Sequence, residues 1–343
     1  ANITTSDASA NYYCIVTPFS PCRPVQSTSV SLTVDSPPVI LNQPPLVTTV
    51  CAGDPAAISV AATGGNLSFQ WYKGGVALTD SALISGSNTD TLYFTAASLA
   101  DAASDYYVVI DNVCTGTTTS SNAQIVVNEI PVIPSQTITV CSGQPFTVDP
   151  QNGVPNAGTI VPAGTIYSWS LPAVTGGVTG GSAGSAAANI TQTLINPTNT
   201  VQTATYLITP QSGTVGNCTG VPFTVVVTVN PVPQINNLTA TYCSGEAFAF
   251  APSSGGGNSI PAGTTYSWPT PVVTGGLTGG SAGNNQTSVS QTLVNPTNST
   301  QTATYTLTAT SGSCLGATFT LTVSIAPQPT TAAAPASQNV CSG

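Results

Sequence analysis

CSG (Cys141–Gly143), PAGTIYSW (Pro162–Trp169), TGGVTGGSAG (Thr175–Gly184), QTLINPTN (Gln192–Asn199), QTATY (Gln202–Tyr206) and Cys218 form one ordered series. It returns as CSG (Cys243–Gly245), PAGTTYSW (Pro261–Trp268), TGGLTGGSAG (Thr274–Gly283), QTLVNPTN (Gln291–Asn298), QTATY (Gln301–Tyr305) and Cys314. The offset is 102 residues at the first Cys, 99 at the Trp and 96 at the last Cys, so short loop insertions separate two copies of one frame. A third CSG begins at Cys341, 98 residues after Cys243. A repeat of this length is a whole domain, and the chain reads as domains in series.

Around the repeat, the chain divides at Pro-rich stretches: DSPPVILNQPP (Asp35–Pro45), NEIPVIP (Asn128–Pro134), NPVPQ (Asn230–Gln234) and APQP (Ala326–Pro329). Pro removes a ladder donor and favours extended backbone, so these stretches read as short, semi-rigid spacers. The expected units are 1–36, the end of a domain; 37–129; 130–231; 232–327; and 328–343, the start of another. No Met and no basic-then-apolar leader is present, and the chain reads as an internal piece of a longer polypeptide.

Within the units, apolar residues alternate: Ile58, Val60, Ala62; Leu67, Phe69, Trp71; Ala123, Ile125, Val127. Period two with Val, Ile, Thr and aromatics marks half-buried antiparallel strands, with Gly, Asn and Pro clusters as turns. No amphipathic helix is legible. The fold class is all-β, a tandem array of antiparallel β-sandwiches.

Composition removes whole classes of function. Charged residues are 4% of the chain, with one Lys (Lys73), one Arg (Arg23), no His and a net charge of −9. Phosphate neutralisation needs Lys and Arg clusters, so nucleic acid is excluded as a partner. No apolar run reaches the 18 or so residues of a membrane span. At 41% hydrophobic the chain is not disordered.

The nine Cys stand singly, at 14, 22, 51, 114, 141, 218, 243, 314 and 341. Without CxxC pairs or His they do not suit zinc or thioredoxin-type chemistry; they suit disulfides in an oxidising, extracytoplasmic setting. Each repeat has one Cys at its start and one near its end. The expected bridges therefore lie within units: Cys51–Cys114, Cys141–Cys218 and Cys243–Cys314. Cys341 awaits a partner beyond residue 343. Cys14 and Cys22 either pair upstream of residue 1 or close a local loop with each other. Bridges of this kind would keep each enclosed loop from extending under tension.

Residues 46–128 resemble an immunoglobulin-like domain, carrying FQWYKGG (Phe69–Gly75), TDTLYF (Thr89–Phe94) and DAASDYYV (Asp101–Val108). The stub carries DASANYYC (Asp7–Cys14), close to the family's D-x-A-x-Y-Y-C pattern. The resemblance implies that Trp71 lies on the third core strand and that Tyr12 and Tyr106 are corner tyrosines. The duplicated units, with CSG, YSW, QTL-x-NPTN, QTATY and a closing V-x-V-x-P strand (Val227–Pro231), resemble PKD-like repeats of very large secreted Bacteroidota proteins. That resemblance implies a stalk or adhesive segment of a cell-surface adhesin exported by type IX secretion, acting in attachment or gliding motility. It places the chain outside the cell, attached to the outer membrane. Its partners would be neighbouring domains of the same chain and surface polysaccharide or another surface ligand. The alternatives are a passive spacer in a secreted glycan-degrading enzyme, and a self-assembling fibre subunit.

Other motifs favour structure over chemistry. TGGVTGGSAG lacks the Lys and helix of a phosphate loop. NPTN reads as a turn. Asp101 and Asp105 are too few carboxylates for calcium, and Asp101 matches the residue that braces an Ig strand corner. There is no His to act as a base, and Lys73 sits beside the Trp71 strand at a position typical of an exposed turn, so no catalysis, cofactor or metal is expected. Asp80-Ser81-Ala82 and Asp90-Thr91-Leu92 match a D-[ST]-apolar O-glycosylation pattern.

Overall fold

A computed structural model describes residues 3–113, 116–213 and 216–328. Strands dominate it; the helical elements among the described residues are two three-residue 3-10 turns, Thr5–Asp7 and Leu99–Asp101. The chain forms two compact units that interleave in sequence. One takes in the chain up to Ile133 together with 151–166 and 210–221. The other takes in 134–150, 167–209 and the chain from Pro222 onward.

The Ig-like repeat is a sandwich. One sheet runs, in spatial order, Val76–Ala77, Ser68–Lys73, Ala103–Asp111, Ala123–Asn128 and Val47–Cys51, and the other Ile84–Ser85, Thr91–Phe94 and Ala56–Ser59. Of the residues that alternation predicted, Ile58, Val60, Trp71, Ala123, Ile125 and Val127 are buried in its core, with Leu92, Phe94, Tyr106, Val108 and Ile110, whereas Ala62, Leu67 and Phe69 are only partly buried against it. Each large apolar side chain removed from water contributes about 1.5–3 kcal/mol, so this cluster outweighs any surface term. The two corner tyrosines take the places the resemblance implied. The Tyr106 hydroxyl donates to the Asp101 carbonyl at 2.7 Å and that of Tyr12 to the Asp7 carbonyl at 2.6 Å.

The two duplicated repeats share one plan. In the first of them, the third repeat along the chain (130–231), a sheet of Gln136–Cys141, Phe223–Asn230, Gln202–Gln211, Ile166–Trp169 and Gly184–Ala187 faces the pair Pro145–Val148 and Ile190–Thr193. In the fourth, Leu238–Cys243, Cys314–Ala326, Gln301–Ser311, Thr265–Trp268 and Gly283–Gln286 face Ala247–Phe250 and Val289–Thr292. Strict alternation on Phe223–Asn230 puts Phe223, Val225, Val227 and Val229 inward. In all three repeats the ladders are antiparallel except one. The opening strand pairs parallel with the closing strand.

The recurrent motifs form one set of polar clamps that need no charge. Asn196 is buried; its amide donates to the carbonyls of Thr200 and Val229, and its side-chain oxygen accepts from the Thr198 N–H and hydroxyl. Its backbone N–H donates to Ser142 of CSG. Asn295 makes the same bonds to Ser299, Ile325, Thr297 and Ser244. NPTN is therefore a turn stapled to the opening and closing strands.

The glycine-rich loop carries the tryptophan. Trp169 donates to the Ser182 carbonyl at 2.8 Å, and Gly184 lies so close to its ring that a Cβ would come within 2.3 Å. Trp268 stands in the same relation to Ser281 and Gly283. Gln192 then ties the Ser182 backbone to the Tyr206 hydroxyl, as Gln291 ties Ser281 to Tyr305. Neutral bonds of this kind contribute about 1 kcal/mol each, and leaving such groups buried and unpaired costs more.

Three of the Pro-rich stretches do not behave as free spacers. Val39–Asn42 forms a strand with Ala61–Thr63, because its apolar run finds an open edge in the Ig-like repeat. Val132 bridges Ile160, and Gln234 bridges Ser259. Residues 3–34 form two antiparallel pairs, Ser9–Tyr12 with Val30–Leu32 and Ile15–Val16 with Val25–Gln26.

Burial raises the core tyrosines. Desolvation holds Tyr206 and Tyr305 at about 12, and Tyr167, with Asp149 adding to the effect, also at about 12. Tyr106 is raised by desolvation and by Asp101 and Asp105. The folded state thus keeps protons that an unfolded chain loses near pH 10. Stability is fully present below about pH 10 and falls as pH rises toward 12. Denaturant unfolding of thiol-blocked, oxidised protein across pH 9–12 should show a steep loss over that window. A flat profile would contradict the buried, neutral phenols.

Candidate functional site: the joints between repeats

The parallel opening and closing strands decide where each cysteine lies. Cys51 stands opposite Asn128, Cys141 opposite Asn230 and Cys243 opposite Ala326. Each opening cysteine is therefore at the downstream pole, where the chain leaves its repeat. The closing cysteines precede the closing strand and sit in the hairpin at the upstream pole. Thr219, next to Cys218, bridges Gln211, and Cys314 pairs with Ser311. The strand Cys314–Ala326 has 13 residues. At roughly 3.3 Å per residue its ends are about 40 Å apart, whereas bridged Cα atoms lie within about 7 Å.

The expected bridges within units are corrected accordingly. Cys51 is bonded to Cys218, not Cys114, with Cα atoms 5.7 Å apart. Cys141 is bonded to Cys314, not Cys218, with Cα atoms 5.5 Å apart. Cys243 does not reach Cys314 and is an exposed free thiol. Each bridge joins the opening cysteine of one repeat to the closing hairpin of the next. Cys114 and Cys341 lie outside the described residues. Cys14 and Cys22 are exposed free thiols, so the local loop between them is not formed.

Each joint combines a local hairpin with contacts distant in sequence. At the first, Cys218 and Ser212 hold each other across the hairpin, with the Ser212 N–H donating to the Cys218 carbonyl and the Cys218 N–H to the Ser212 hydroxyl. Cys218 and Cys314 are buried. Two residues on, a glycine meets the linker: a Cβ on Gly220 would lie 2.3 Å from the Pro131 carbonyl, and one on Gly316 would lie 2.4 Å from that of Pro233. Cys-x-Gly recurs at Cys218–Gly220 and Cys314–Gly316, but the opening cysteines carry it too, at Cys51–Gly53, Cys141–Gly143 and Cys243–Gly245, so no local motif in the sequence marks the joint. The PAGT turn also belongs here. Pro162, Ala163, Gly164, Ser212 and Gly213 line a shallow groove with Asn128 and Glu129, and Pro261, Ala262, Ser311 and Gly312 line its counterpart with Asn230 and Pro231.

The remaining candidate residues are engaged locally. Asp101 accepts from the Ser98 N–H at 2.8 Å and its hydroxyl at 2.7 Å, bracing the corner. Asp105 lies on the adjoining strand Ala103–Asp111, near Gly74. Lys73 donates to the Ala100 carbonyl at 2.6 Å and lies 5.4 Å from the Tyr106 ring centre, a cation–π contact. No group of three or more metal-ligating side chains occurs among the described residues. Ser81 accepts from the Leu83 and Ile84 N–H groups, and Thr91 opens the strand Thr91–Phe94.

Among solved structures, the titin I-band fragment I67–I69 is 14% identical, with TM-score 0.46, covering 86% of this chain and 99% of its own. Sidekick-1 immunoglobulin domains 1–5 are 14% identical, with TM-score 0.35, covering 95% of this chain and 68% of their own. No curated protein is detectably similar in sequence. The PKD-like domain model matches residues 138–233 and 237–329, the two repeats with which the reading began. With more than half its length matched, the chain belongs to the PKD-like domain family.

Proposed function

We propose that this segment is a load-bearing stalk in a large cell-surface adhesin, acting in attachment or gliding motility. Tandem Ig and PKD-like domains are consistent with a stalk or spacer, and such domains are typically non-catalytic. Disulfides with PKD-like domains point outside the cell, and no helix among the described residues is long and apolar enough to cross a membrane. The observation that carries the proposal is the pair of bridges between successive repeats. A repeat joined to its neighbour by one peptide linker needs no second covalent tie unless the joint itself must withstand strain. The charge-poor composition supports spacing over capture of charged ligands.

The test is attachment under flow. In cells displaying the full polypeptide, Cys51→Ser with Cys141→Ser should lower the shear stress at detachment several-fold while leaving static attachment intact. Undiminished resistance to flow would overturn the load-bearing reading. Loss of static attachment as well would overturn it in favour of ligand capture by the repeats themselves.

A further inference from the structure

We infer that Cys243 is a docking cysteine. It receives the closing-hairpin cysteine of a further PKD-like repeat, so the ladder of bridges continues in register. A free surface cysteine would not carry this on its own, but the same position is seen filled twice. All three opening cysteines have one backbone setting. Ala52, Ser142 and Ser244 donate to Asn128, Asn230 and Ala326 at 2.9, 2.9 and 3.0 Å. One residue on, Gly53, Gly143 and Gly245 donate to Ala97, Leu194 and Leu293 at 2.7, 2.8 and 2.9 Å. At the first two poles the cysteine holds a following hairpin, and at the third it is exposed and unbridged. Its own repeat cannot satisfy it, because Cys314 is at the opposite pole and already bonded.

The occupant follows from the two filled cases. It is a hairpin bearing Cys-x-Gly, whose glycine lets the linker carbonyl pass close, entered after a Pro-containing joint. The chain continues from the fourth repeat into APQP and then a third CSG at Cys341, the order that precedes such a repeat. Bond formation is thiol–disulfide exchange. The Cys243 thiolate attacks oxidised glutathione and releases one reduced glutathione. The hairpin thiolate then attacks the mixed disulfide at the Cys243 sulfur and releases the second. Two thiols are oxidised and one disulfide is reduced.

Two extended chains test it, one carrying a second copy of residues 232–328 after Gln328 and the other a copy of 130–231. Both are refolded in a glutathione redox buffer, digested with pepsin because Lys and Arg number only 2, and mapped without reduction. The expected result is a peptide joining Cys243 to the added hairpin cysteine, present in nearly all molecules and lost in Cys243→Ser. A folded added repeat with Cys243 still open to alkylation would overturn the inference, as would a bridge from Cys243 to Cys14 or Cys22. Failure of both copies to fold behind the fourth repeat would also overturn it, since the docking pole would then not accept a follower.

Discussion

Pulled from its ends, the oxidised chain between Cys51 and Cys314 should extend by no more than the 77 residues from Cys141 to Cys218 allow. The reason is covalent topology. Cys51–Cys218 makes one node and Cys141–Cys314 another. The segments 51–141, 141–218 and 218–314 all run between those two nodes, so three backbones share the load. The shortest sets the limit, about 260 Å at roughly 3.4 Å per residue. After reduction the whole stretch from Cys51 to Cys314 can pay out, about 890 Å on the same scale.

Force–extension curves should therefore differ by roughly 600 Å in releasable length with and without reductant. Equal lengths would show that the bridges do not link the repeats. Bridges within each unit would also shield loops, but they would leave the joints extensible and give separate, repeat-sized limits. The load also enters the third repeat at Cys218 and Cys141. Those points pull its parallel opening and closing strands, Gln136–Cys141 and Phe223–Asn230, past each other in shear.

Cys141→Ser should leave Cys314 as a buried free thiol and should not yield a Cys243–Cys314 bridge. The lost bridge spans 173 residues. In the chain-entropy model closure of a loop that long stabilises by about 5 kcal/mol. The loss should be read locally, since an array of repeats does not unfold in one step. Hydrogen exchange in the fourth repeat should accelerate by up to nearly four orders of magnitude (~10^3.7), with the Ig-like repeat little changed. Non-reducing peptide maps report the thiols. A Cys243–Cys314 link in this variant would mean that the two poles of the repeat come together, which the ladder of Cys314–Ala326 forbids. Unchanged exchange would mean that the bridge constrains nothing.

Much of this was legible in the chain. Period-two alternation at Ile58, Trp71 and Ile125 located the core, because a strand with one wet face must alternate. NPTN read as a turn and TGGVTGGSAG as a loop for local reasons: Asn-Pro and Gly restrict or free the backbone whatever surrounds them. Asp101 and Tyr106 read as a strand corner because their partners are a few residues away. What those motifs hold was less legible. Gly184 matters because an indole 15 residues upstream lies on it, and Ser142 matters because Asn196 needs an acceptor.

Duplication, all-β class, scarcity of charge and the pairing-prone character of the cysteines were thus determined by the sequence, since each depends on composition or on short-range pattern. Which cysteine meets which was decided only in three dimensions. One opening and one closing cysteine per repeat invite pairing within the repeat, and nothing in their spacing argues otherwise. The parallel register of Leu238–Cys243 with Cys314–Ala326, and of its counterparts, sends the two cysteines to opposite poles. A bridge a few ångströms long cannot cross a strand about 40 Å long, so each cysteine is left within reach of its neighbour's pole instead.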